Sequence, residues 1–255
     1  GSGGGARAGP SDGDRRSIPS APCPGPRSSY TCITMSVSLK TTSLPEAVYD
    51  AVRESIVTVQ VPPGSLLTET AVSLRYGVAR PTAKAAIERL VSEGLLTRQA
   101  HRAAQVPQLS RDDIEDLYSS RALIEEAALH NLAIAETVPP TALALHRELL
   151  EHVKNDDRAA LARTDIDFHR ALVEAQHSPR LSRMHSLIMG EIELCIGQVQ
   201  AHQLIRAADV AEQHQGILDA VAVGDIALAG RLTREHIFNA RDRLLRKFDD
   251  DHNGS

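Results

Sequence analysis

The sequence predicts a mainly α-helical protein in two parts: a small N-terminal domain of three helices and a strand pair, then an antiparallel all-α bundle of about six helices. Three observations carry that expectation. Aromatic residues make up 3% of the chain and Trp is absent, while hydrophobic residues reach 42%, so the core must be built from Leu, Ile, Val and Ala. Such a core suits packed helices better than sheets. Apolar residues also recur at helical spacing over nearly all of the chain beyond residue 43, interrupted only by short Pro, Gly, Asn and Asp punctuation. Finally, the two parts differ in charge. Residues 40–107 carry eight Lys/Arg against six Asp/Glu, whereas residues 108–255 carry sixteen against twenty-five. The first part can approach phosphate; the second would be repelled by it.

Residues 1–38 are rich in Gly, Pro, Ser and Arg and are expected to form a disordered tail. The opening Gly-Ser-Gly-Gly-Gly and closing Gly-Ser read as appended linker residues, with Met35 nearer a natural start. Order is expected from Thr42, and the first domain spans 42–107. Leu44, Val48, Val52, Ile56 and Val59 form one apolar stripe, stopped by Pro62, Pro63 and Gly64. Thr68-Glu69 opens a short helix that ends near Arg75, and Gly77 turns the chain. A third helix runs from Arg80 to Glu93 with Ala83, Ile87, Leu90 and Val91 facing inward, and Gly94 caps it. Extended runs follow at Leu95–Gln99 and Ala103–Pro107. Ser110 with Asp113 resembles a capping box and opens the second domain, 110–248. Its helices are expected at 110–136, 139–154, 157–176, 180–200, 203–223 and 225–248. Linkers this short make neighbours antiparallel.

Several function classes are disfavoured at once. Cys23, Cys32 and Cys195 are few, odd in number and lack CxxC spacing, so neither a disulfide framework nor a cysteine zinc site is expected. No apolar run reaches membrane-spanning length, and no signal-peptide stretch is evident. A cytoplasmic protein without a membrane partner is the expectation.

Three helices and a strand pair make a winged helix-turn-helix, whose second motif helix can enter a DNA major groove. Arg80, Thr82, Lys84 and Arg89 lie on that helix, Arg75 precedes it, and Arg98, His101 and Arg102 follow. Arg pairs bidentately with guanine, and both Lys and Arg hold phosphate. Arg80, Lys84 and Arg89 are expected on the groove side. Three amphipathic helices with ordinary solvated basic residues would show the same spacing. Three stretches stand out: Pro63-Gly64-Ser65-Leu66-Leu67-Thr68-Glu69, Tyr76-Gly77-Val78-Ala79-Arg80-Pro81-Thr82-Ala83-Lys84-Ala85-Ala86-Ile87, and Leu90-Val91-Ser92-Glu93-Gly94-Leu95-Leu96. On these, residues 44–106 resemble the DNA-binding domain of the GntR family of bacterial regulators. Lys84 stands where the family usually has a second Arg, and the wing Gln99-Ala100-His101-Arg102-Ala103-Ala104 lacks the usual glycines.

A second constellation lies in the bundle. Asp165 and His169 are four apart, hence on one helix face. His214 and His236 each lie ten or eleven residues from the Gly224-Asp225 turn, so they sit level across an antiparallel pair. Counting from His169 through the intervening turns returns the chain to His214 within about a residue, roughly 1.5 Å in height. One carboxylate and three imidazoles suit a divalent first-row metal: zinc foremost, with nickel or manganese as alternatives. His130, His146, His152, His177, His185 and His202 read as surface or helix-end residues. Arg121 falls in step with Ile114, Leu117, Ile124 and Ala128, which puts a charge in an apolar stripe. A buried guanidinium needs an anionic partner, either a ligand carboxylate or an internal Glu. Asn239, one turn beyond His236, could hydrogen-bond a ligand or simply be solvated.

The cluster residues sit in the stretches Asp165-Ile166-Asp167-Phe168-His169-Arg170-Ala171-Leu172, His214-Gln215-Gly216-Ile217-Leu218-Asp219-Ala220, Gly224-Asp225 and Glu235-His236-Ile237. On these, residues 110–248 resemble the effector domain of the FadR branch of the same family, the FCD domain. The resemblance implies a metal on the Asp and three His, and an Arg in the Arg121 stretch that reaches a ligand. The combined expectation is a ligand-responsive transcription regulator, not an enzyme. It should bind a roughly palindromic double-stranded operator as a homodimer and respond to a small carboxylate metabolite, with repression as the expected sign. The long helix from Ser110 is the expected mechanical link. The rival readings are a metal-dependent hydrolase or oxygenase using the same four residues, and a regulator that answers to metal alone.

Overall fold

A computed structural model describes residues 43–100, 102–199 and 206–253. These form helices α1 (Leu44–Val57), α2 (Glu69–Tyr76), α3 (Arg80–Ser92), α4 (Arg111–Ile134), α5 (Pro140–Asn155), α6 (Arg158–Glu174), α7 (Pro179–Gln198), α8 (Ala207–Ala222) and α9 (Ile226–Asn253). Two short strands, β1 (Leu66–Leu67) and β2 (Ala104–Gln105), complete the set. The expected helical class holds, with three helices and a strand pair ahead of an all-helical bundle. The expected tail at 1–38, His101 and His202 lie outside the described residues.

Local chemistry sets the boundaries. Thr68 caps α2 by accepting from the Ala71 amide at 3.1 Å, and Gly77 ends that helix at φ +65°, a left-handed conformation that glycine adopts without a Cβ penalty. Ser110 and Asp113 form a full capping box at the start of α4. The head, comprising α1–α3 and the strands, closes over Val48, Val52 and Ile56 of α1, Val72 of α2, and Ala83, Ile87 and Leu90 of α3.

The strand pairing differs from the expectation. β2 pairs antiparallel with β1, Leu66 opposite Gln105 and Leu67 opposite Ala104, while the 95–99 run contributes only a bridge from Thr97 to Gln105. Leu95 and Leu96 are consecutive and both buried, which a strand with alternating faces cannot achieve. Both amides instead return to the Leu90 carbonyl as the chain turns out of α3.

The bundle, or body, packs α4 along α9, α5 along α6, and α8 beside α9, with α7 against α4 and α6. Two large apolar clusters fill it, with a smaller third around Leu149 and Leu161. One gathers Ile114, Leu117, Met189, Ile192, Ile237 and Leu244; the other gathers Leu129, Phe168, Leu172, Ile217 and Val221. α9 continues past the expected end at 248, to Asn253. Among the described residues, no helix is long and apolar enough to cross a membrane.

Candidate functional site

Three helices converge on one buried polar cluster. Asp165 and His169 stand one turn apart on α6, His214 on α8 and His236 on α9, and one ligand atom from each lies within 4.8 Å of all the others. Asp165 Oδ1 is 3.1 Å from His214 Nε2, 3.9 Å from His169 Nε2 and 4.0 Å from His236 Nε2. The three imidazoles are buried and Asp165 is largely so. The His214 ring stacks on Phe168, with centroids 4.0 Å apart and planes within 12°.

A second layer orients these groups. His169 Nδ1 lies 2.7 Å from Glu125 Oε2, and His236 Nδ1 lies 2.8 Å from Gln213 Oε1. Glu125 Oε1 accepts from Arg121 Nε at 2.7 Å and contacts His185 Nε2 at 2.9 Å. A neutral imidazole carries a single N–H. The Gln213 contact leaves His236 Nε2 as a lone pair, whereas the His169 Nδ1–Glu125 Oε2 contact is close but poorly aligned, and neither of those two atoms has a hydrogen-bond partner. The Nε2 atoms of His169 and His236 lie 3.0 Å apart. At that distance the rings either share one N–H, with His169 in the Nε2–H tautomer, or face a cation beside both nitrogens. A further proton is poorly suited as that cation. Burial and then the Arg121 charge push His169 down to about 4, and burial with the neighbouring imidazoles pushes His236 well below its ordinary value. For Asp165, burial alone would raise the carboxyl, but the His214 contact and the surrounding imidazoles hold it far below the usual range. The Asp165 Oδ1–His214 Nε2 approach is close but poorly aligned, and both atoms lack a hydrogen-bond partner.

A cavity of about 50 Å³ adjoins the cluster, lined by Asp165, His236, Tyr118, Arg121 and Arg243 together with apolar residues of α7 such as Ile192. Arg121 is fully buried. It uses Nε on Glu125 and leaves Nη2 unpartnered. Both alternatives left open for this guanidinium are therefore represented, an internal Glu and a free donor beside a cavity. Counting residues along the bundle does not bring Arg121 level with the cluster. The structure does so because Glu125, one turn on, meets His169, and the long Arg side chain covers the remainder.

Two surface assignments are corrected. His146 and His185 are buried, His185 because Glu125 satisfies it inside the body and His146 because it packs against the stacked Phe168 and His214 rings. Asn239 is exposed and does not line the cavity, whereas Ala240 and Arg243 of the same helix do. Sequence reasoning missed Glu125, His185, Gln213, Tyr118 and Arg243. Only Glu125 left a signal, as an acid four residues beyond Arg121 on the same buried stripe.

In the head, Arg80 begins α3 and shares a cleft with Arg98 and Arg102 from the segment after that helix. The Arg80 guanidinium donates to Thr70 Oγ1. Lys84, one turn along, is exposed, Thr82 is half-buried, and Arg75 is exposed at the end of α2. Arg89 does not join them. It bonds Glu46 and Glu93 at 2.9 Å each, and its guanidinium carbon lies 3.6 Å from the Tyr49 ring centroid. Nine residues at 100° place Arg89 on the side of α3 opposite Arg80.

Comparison with known proteins agrees with this architecture. Residues 44–106 match the profile "Bacterial regulatory proteins, gntR family", and residues 116–239 match the FCD domain. The HTH-type transcriptional regulator BphR of Paraburkholderia xenovorans is 30% identical over 203 residues, covering 76% of this chain and 82% of that one. The HTH-type transcriptional repressor NanR of Citrobacter rodentium is 26% identical, covering 64% of this chain and 70% of its own. Among solved structures, a GntR transcriptional regulator from Rhodococcus sp. RHA1 superposes with a TM-score of 0.66 at 23% identity, over 80% of this chain and 98% of that one. These families and relatives are regulators rather than enzymes. An arginine-lined helix-turn-helix head on an all-helical FCD body thus places the chain in the GntR family of bacterial transcriptional regulators, in its FadR-like, FCD-containing branch.

Proposed function

We propose that the chain is a metabolite-responsive repressor. Residues 42–107 read DNA, and residues 110–248 hold a divalent metal, bind a small carboxylate and form a homodimer on a roughly palindromic operator. The single observation that carries the metal reading is the convergence of buried ligand atoms short of hydrogen-bond partners: Asp165 Oδ1 and both ring nitrogens of His214 have none, and His169 Nε2 and His236 Nε2 stand 3.0 Å apart beside them. Asp165, His169, His214 and His236 would hold the ion, and their donor set suits zinc, nickel or manganese. When bound, such an ion offers Lewis-acid positions to a carboxylate. Glu125 and Gln213 orient two of the imidazoles, as outer partners of metal-binding His commonly do. Arg121, with one unpartnered donor beside the cavity, would bind a second acidic or hydroxyl group of a small acid.

Repression is supported by relatives that carry that description, among them NanR and a regulator ascribed to the D-xylose utilization operon of Paenarthrobacter nicotinovorans. Acting on bacterial operators would place the protein in the cytoplasm. Metal analysis of the purified chain is expected to find one divalent ion per protomer. His214→Ala should lower both occupancy and melting temperature, because an ion bound only to the folded state stabilises it. Full-length protein that takes up no metal, or whose melting is unmoved by a chelator, would overturn this reading. Calorimetric titration of two- to six-carbon hydroxy, keto and dicarboxylic acids into metal-loaded protein tests the effector. Binding that requires both metal and Arg121 is the expected result.

A further inference from the structure

Helix α7 has two working faces. On one, Ile192 and Ile196 line the cavity beside the Asp/His cluster, and His185 bonds Glu125, which in turn holds Arg121 and His169. On the other, Gly190, Glu193, Leu194 and Gly197 seat the head. A methyl group at Gly197 would fall 2.2 Å from the Val57 carbonyl oxygen at the end of α1, and one at Gly190 would fall 1.7 Å from the Glu93 carbonyl oxygen after α3. Backbone therefore touches backbone at both points. Leu194 is part of the head's own core, and both Glu193 oxygens accept from Arg53 Nη2 of α1, at 2.6 and 2.7 Å.

A second void lies on the head side. Residues of α1, α6 and α7, including Val57, Ala162 and Gly197, line a cleft of about 360 Å³. Ile166 and Ile196 line both this cleft and the cavity beside the cluster, forming a partition between them. The cavity holds roughly four water molecules' worth of space. An acid of several carbons exceeds this space, so seating it wholly beside the cluster displaces a wall. Most of the surroundings are close-packed and resist. The partition is backed by open space and can yield.

We propose that α7, rather than the long α4, relays occupancy of the cavity to the DNA-binding head, with the Ile166–Ile196 partition as the moving part. The proposal rests on the effector reading above. Ligand entry pushes Ile196 toward the cleft, α7 follows, and the glycine contacts pass the shift to Val57 and Glu93 without a side chain to absorb it. The ends of α1 and α3 then move together, which re-aims the head.

Coupling of this kind is reciprocal, so it can be tested from the head side without knowing the effector. The experiment is hydrogen exchange on the full-length chain, with and without zinc, comparing Gly197→Ala with wild type. The added methyl sits in the seat and touches no residue of the cluster. Faster exchange is expected in α1 and also in the 118–126 and 163–170 segments, with zinc affinity shifted at least about fivefold. Val72→Ala, which loosens the head from within, is expected to leave those two segments unchanged. The relay is overturned if Gly197→Ala loosens the head but leaves both segments and zinc affinity as in wild type. It is equally overturned if Val72→Ala has the same effect on them. Should Gly197→Ala fail to fold, Ala162→Leu fills the cleft from α6. Slower exchange at 163–170 and 118–126 then supports the relay, and unchanged exchange overturns it. A wild-type chain that binds no zinc would remove the metal reading, while the exchange comparison still decides the relay.

Discussion

Glu125 is the residue on which most of the buried electrostatics depend. Burial alone would raise its carboxyl, but the Arg121 charge and the His169 and His185 contacts hold it well below the ordinary range. Glu125→Gln removes an anion bonded to a fully buried guanidinium, and breaking such a pair from one side costs about 3–5 kcal/mol. Urea unfolding of the metal-free variant should show a loss of that order, and metal affinity should fall roughly 10–100-fold because His169 loses its outer partner. The imidazoles add a pH dependence. His169 is pushed down to about 4 when folded, so the unfolded chain binds its proton more readily. Its contribution is intact above about pH 6.5 and is lost as the pH falls toward 4, a loss of about 3 kcal/mol from this group alone. Urea midpoints of metal-free protein between pH 7 and 4.5 check the slope, and a flat profile would contradict a buried neutral imidazole. At this scale, Asp165 and the three cluster histidines are readable from sequence because helical rise fixes their heights. His185 is not, because a His on a helix looks the same whether it meets water or a buried carboxylate. Arg121 lies between these cases: its place in an apolar stripe announces a partner without naming Glu125.

At the scale of the element, α3 divides its basic residues between two tasks. Arg80 and Lys84 share the exposed side that continues into Arg98 and Arg102, while Arg89 ties α3 to α1 through Glu46 and Tyr49. Arg80→Ala is therefore expected to weaken operator binding by about 1–3 kcal/mol if it contacts a base, with the melting temperature little changed. Arg89→Ala should do the reverse. DNA affinity should hold, and stability should drop by up to about 1 kcal/mol, since these ion pairs are partly exposed. Equal losses of DNA affinity from both variants would return Arg89 to the reading face. The helices themselves are legible because each carries its own signals, such as Thr68, Gly77 and Ser110 at their ends. The strands are so only in part, since β2 falls within the expected 103–107 run whereas β1 has no local signal. Two-residue β1 exists only because Leu66 and Leu67 find Gln105 and Ala104 across the fold, and local pattern holds no trace of that pairing.

For the molecule as a whole, charge must be placed rather than accumulated. The chain carries a net charge of −5, and the small basic excess of the head cannot hold DNA by bulk attraction. What the head offers instead is local density: Arg80, Arg98 and Arg102 around one cleft, Lys84 one turn along α3, and Arg75 at the end of α2. The acidic excess lies in the body, which penalises any pose that brings α4–α9 against the duplex and so favours approach by the head. If Arg98 and Arg102 each neutralise one phosphate, a dimer forms four such contacts through them. Each contact contributes about −0.9 to the slope of log affinity against log salt concentration. The double variant Arg98→Ala/Arg102→Ala should therefore flatten that slope by about 3–4 in a dimer and by about half as much in a monomer. It should weaken binding to all sequences alike, unlike Arg80→Ala, which should also relax sequence preference. Titrating salt from 50 to 200 mM against full-length protein reads both the phosphate contacts and the number of heads engaged. An unchanged slope would mean that the arginines after α3 stand clear of the backbone, leaving Arg75 and Lys84 as the remaining phosphate contacts.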